Sequence, residues 1–62
     1  MAGRIVRGQL LAVVDGPAMI LSVNGQEHKF ALTVQVSLDW VSKHMDKLVT
    51  VMVDEAQIIE IL

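Results

Sequence analysis

The side chains able to do chemistry in this 62-residue chain are few and scattered. Its only histidines are His28 and His44. With Asp39, Asp46 or Glu27 they would supply the imidazole and carboxylate donors that suit zinc and similar ions. No His-x-x-x-His or Cys/His spacing gathers them, and scattered histidines of this kind are ordinarily surface residues. With no cysteine, the chain has neither a thiolate nucleophile nor a disulfide. Its hydroxyls (Ser22, Ser37, Ser42, Thr33 and Thr50) would need a base within hydrogen-bond reach and a shaped pocket to become nucleophiles. They read instead as strand, cap or surface residues. The expectation is a non-enzymatic protein with no cofactor and no metal.

The elements that would position these groups follow from hydropathy and turn chemistry. Residues 4–14, RIVRGQLLAVV, read as a first strand. Gly8 within it marks either a bulge or bend that lets one long strand serve both halves of a barrel, or an ordinary strand glycine. Asp15-Gly16-Pro17 is a turn. Ala18–Val23 and Gln26–Thr33 are strands joined by Asn24-Gly25, a strong hairpin signal. In the second of them, His28, Phe30 and Leu32 share one face and Glu27, Lys29 and Ala31 the other. Val34 to Val36 could extend that strand.

Ser37 to Lys47, SLDWVSKHMDK, is the one stretch with a helical period. Ser37 is a fitting N-cap, and Asp39 and Lys43 stand four apart in the favourable order. Leu38, Val41 and Met45 would share its buried face. A helix of two to three turns needs packing to persist, so it should plug one end of a sheet. Trp40 and His44 form either a ligand-facing pair or, with Trp40 seated on the barrel, an anchor and its edge. Leu48–Val53 is a continuous apolar strand, Asp54-Glu55 a turn, and Ala56–Leu62 the closing strand.

Three strands, a short helix and two more strands resemble the connectivity of the OB-fold, a five-stranded barrel. The glycine-bearing first strand, the Asn-Gly hairpin and the ending KLVTVMVDEAQIIEIL are also similar to short bacterial domains of unknown function. The fold class expected is therefore mainly β: one small five-stranded barrel spanning residues 1–62, with the helix between strands three and four. The alternative is an SH3-like barrel, whose short helical turn usually lies between the last two strands.

Composition narrows the company such a barrel would keep. Apolar residues make up 53% of the chain, and only Phe30 and Trp40 are aromatic, so the core must be aliphatic. A domain this small buries only about 60% of the surface its unfolded chain exposes. Both faces of several strands are apolar, more than one barrel interior holds, and a surplus of this kind usually marks an interface. A homo-oligomer or a protein partner is expected, with Met19, Leu21, Val49, Val51 and Ile59 as the interface, one of two possible buried sets. The alternative is single-stranded nucleic-acid binding through Arg4, Arg7, Lys29 and Phe30, since OB-folds use strands two and three for it. The net charge of −2 weighs against that reading, because phosphate binding needs a basic footprint. No apolar run is long enough to span a membrane and the first residues lack a secretion signal, so a cytoplasmic, membrane-free protein is expected.

Overall fold

The computed structural model describes residues 3–62. Its strands are β1 (Arg4–Val14), β2 (Ala18–Val23), β3 (Gln26–Leu32), β4 (Leu48–Asp54) and β5 (Gln57–Ile61), with one helix, α1 (Leu38–His44), between β3 and β4. They close into a barrel in the order β1-β2-β3-β5-β4. Every pairing is antiparallel except that of β3 with β5, which is parallel and seals the barrel through Ala31↔Gln57 and Leu32↔Ile58. Thr33 reinforces the seam, its backbone N–H and its hydroxyl both donating to the Ile58 carbonyl.

The long first strand serves both halves of the barrel. Arg4 to Gln9 pair with β4, and Gln9 to Val14 pair with β2. The bulge is not at Gly8 but at Leu11, where the register jumps from Leu10↔Leu21 to Ala12↔Ile20. Gly8 meets a different demand. A Cβ there would lie 2.7 Å from the Ser22 carbonyl oxygen, so the glycine permits β2 to approach as β1 changes partner. A second bulge falls at Ile59, since Met52 pairs with Glu60 but Val53 with Ile58.

The two-residue turns of the β2–β3 and β4–β5 hairpins have positive φ at each central residue, the geometry that matches strand twist. Asn24 (54°) and Gly25 (80°) fill the first, as their types favour. The second lies one residue later than its polarity suggests. Asp54 is still paired, with Gln57, and the turn falls on Glu55 (52°) and Ala56 (65°).

The barrel interior is wholly apolar, with no buried polar or charged side chain among the described residues. Leu10, Met19, Leu21, Val51, Val53 and Ile58 are its largest fully buried side chains. This corrects four of the five residues expected at an interface. Met19, Leu21 and Val51 point inward with their register partners Phe30, Leu10 and Val6, and Val49 follows Val51 two residues along the same strand. Closure of the sheet consumes that face, and no partner can reach it. Ile59 alone of the five stays exposed, at 41%, because its bulge releases it from the inward alternation.

The helix is shorter than its sequence period suggests. Met45 leaves helical geometry (ψ 133°) and Asp46 turns left-handed (φ 63°). The reason is a competing ladder: the Asp46 N–H donates to the Leu10 carbonyl, and the Lys47 carbonyl accepts from Leu10 N–H. Ser37 caps the N-terminus, its hydroxyl accepting from Trp40 N–H at 3.1 Å, and Asp39 pairs with Lys43 at 3.1 Å. Trp40 and Met45 pack on the core together with Val34 and Val36, while Leu38 is 88% exposed. The expected Leu38, Val41, Met45 face is thus rotated. Positions two apart differ by about 200° around a helix, so seating the larger Trp40 ring turns Leu38 to solvent.

Candidate functional site

The outer surface of β1, β4 and β5 carries the apolar surplus. Val49, Val51 and Val53 point inward, so Leu48, Thr50 and Met52 point outward. Cross-strand partners extend this face to Ile5, Arg7 and Gln9 on β1 and to Glu60 on β5. Leu62 joins it beyond the end of β5, its N–H donating to the Thr50 carbonyl at 2.9 Å. Ile59 approaches Met52 beside Gly3: a Cβ on that glycine would lie within 3.4 Å of both side chains. Among the described residues there are five exposed large apolar side chains. Four of them, Ile5 (63%), Leu48 (60%), Ile59 (41%) and Leu62 (58%), belong to this one surface, and the fifth is Leu38.

The apolar surplus expected from the sequence is present, but on the opposite side of the sheet from four of the five residues expected to carry it. In β2 and β4 both faces are apolar, so alternation alone could not say which one closure would enclose. The signal available was Arg7 and Gln9, which must stay wet and therefore turn their neighbour Ile5 outward with them.

The residues proposed for nucleic acid do not converge on one platform. Phe30 is 5% exposed and lies in the core, paired with Met19, so its ring cannot take a base. Its stacking partner is His28, with ring centroids 6.0 Å apart. Arg4, Arg7 and Lys29 are exposed, but Arg7 pairs with Thr50 on β4 while Lys29 pairs with Ile20 on β2. Ile20 in turn faces Ala12, so Arg7 and Lys29 are separated by about 16 Å along β1 and about 10 Å across the sheet.

An open groove of about 410 Å³ lies beside the helix, lined by Gln35, Val36, Ser37, Trp40 and Ile61. No acid, base or cation lines it, and its one hydroxyl, Ser37, is engaged as the helix cap. His44 stacks on Trp40 at 4.3 Å, and its Nδ1 lies 2.8 Å from the Trp40 carbonyl oxygen. His44 is thus held against the Trp40 ring and carbonyl, and of the two only Trp40 lines the groove. Among the described residues no three histidines, aspartates or glutamates come together in a metal-holding group, and no helix is long and apolar enough to cross a membrane. No family model matches the chain, and no curated protein or solved structure matches it.

Proposed function

We propose that this chain is a non-enzymatic association module, a small barrel that works by docking protein onto the outer surface of β1, β4 and β5. One observation carries the reading: four of the five large exposed apolar side chains among the described residues gather there. Contiguous exposed apolar patches on small soluble domains mark interaction surfaces, whereas single exposed apolar residues do not. Support for a non-enzymatic role comes from the apolar interior and from a groove that holds no acid or base. The strand order, the parallel β3–β5 seam and the helix between β3 and β4 support an OB-like closure over an SH3-like one.

The test is solution mass by light scattering over a dilution series, at low and high salt, for the parent chain, Met52→Lys and Leu48→Lys. Both substitutions sit on the outer surface and should leave the circular-dichroism spectrum unchanged. The expected result is an assembly that persists in high salt and dissociates in either variant, since apolar contacts are not screened. An assembly unaltered by both charges would contradict the assignment of this surface. Val51→Lys serves as the contrast, because an ammonium inside the barrel should unfold the chain.

A further inference from the structure

The charges on this surface are arranged so that it complements itself. Three strands contribute two rungs: Ile5, Met52 and Glu60 form one, and Arg7, Thr50 and Leu62 the other. In that grid Ile5 and Leu62 occupy one pair of opposite corners, and Arg7 and Glu60 occupy the other. Among the described residues the one ion pair is Lys43–Asp39, so neither Arg7 nor Glu60 has an opposite charge among them. A two-fold axis lying in the surface along the apolar diagonal exchanges the charged corners. It sets Arg7 of one copy over Glu60 of the other, and the same contact forms again on the far side.

We propose that the occupant of this surface is a second copy of the chain, docked face to face about that axis. The proposal rests on the reading that β1, β4 and β5 present a protein-docking surface. Symmetric dimers need a patch that matches itself, with residue i on j and j on i, and two opposite charges flanking an apolar diagonal satisfy that condition. A partner of one strong sign would meet a like charge at one corner, whichever sign it carried. Ile5, Met52 and Leu62 then form the dry centre, and the two Arg7–Glu60 pairs fix the angle at which the copies cross.

Charge reversal tests this pairing. Dissociation constants are measured by sedimentation for the parent chain, Arg7→Glu, Glu60→Arg, the double reversal and Met52→Lys. Each single reversal should weaken the dimer by about 10-fold or more, since it replaces two attractive contacts with two repulsive ones. The double reversal should restore affinity to near the parent value, and the losses should shrink in high salt. A dimer broken by Met52→Lys but indifferent to the single reversals would overturn the pairing and leave the docking surface standing. A dimer indifferent to every variant would overturn both. A parent chain that stays monomeric would overturn the self-docking proposal. In that case binding of an anilinonaphthalene sulfonate dye, abolished by Met52→Lys, would retain the surface for another protein, and absence of dye binding would remove it.

Discussion

At the scale of single residues, the chain fits its barrel closely at some positions and against its own preferences at others. Gly8 is required by the approach of β2, and Asn24-Gly25 is the pair that a positive-φ hairpin favours. The β4–β5 turn has the same left-handed backbone but fills it with Glu55 and Ala56, each of which bears a Cβ. Left-handed backbone costs an L-residue roughly 1–2 kcal/mol, and glycine avoids most of that cost while losing some entropy. Ala56→Gly should therefore stabilise the chain by about 0.5–1 kcal/mol, measured as a shift in the urea midpoint with an unchanged slope. No gain, or a loss, would mean that the turn is not held left-handed in solution. This strain was invisible in the sequence. Asp54-Glu55 reads as the natural polar turn, and only the pairing of Asp54 with Gln57 moves the turn onto Ala56.

At the scale of elements, turn chemistry made most of the fold legible. Asp15-Gly16-Pro17, Asn24-Gly25 and the cap at Ser37 delimit β1, β2, β3 and α1 to within a few residues of where they lie. The two bulges were not legible. Leu11 and Ile59 are apolar residues in apolar runs, and each resets the inward alternation, so that Leu10 with Val13, and Ile58 with Ile61, turn to the same core. An alternation read without bulges must misassign one end of each strand. The helix face differs from its sequence pattern for a related reason, because a three-four spacing says which residues align but not which of them is worth seating. Two substitutions separate the readings. Trp40→Ala should cost about 2 kcal/mol, below the range for a fully buried aromatic because Trp40 is only half-buried. Leu38→Ser should stay within about 0.5 kcal/mol of the parent. Equal costs in chemical denaturation would mean that the helix is turned the other way.

At the scale of the whole molecule, closing the barrel divides the apolar residues into two populations. The interior takes Met19, Leu21, Val49 and Val51, which sequence reasoning had assigned to an interface, and the exterior keeps Ile5, Leu48, Ile59 and Leu62. The presence of a surplus was legible from composition and strand alternation. Its location was not, since it depends on which face of β4 the long first strand folds inward. Self-association through this face requires that the exterior group be covered by protein in solution. Hydroxyl-radical footprinting of the parent chain at low and high protein concentration measures this directly, because Leu38 is exposed on the helix, outside the three strands that form the surface, and serves as an internal reference. The expected result is that labelling of Ile5, Leu48 and Leu62 falls as concentration rises while labelling of Leu38 stays constant. Labelling of all four that is indifferent to concentration would contradict self-association through this face.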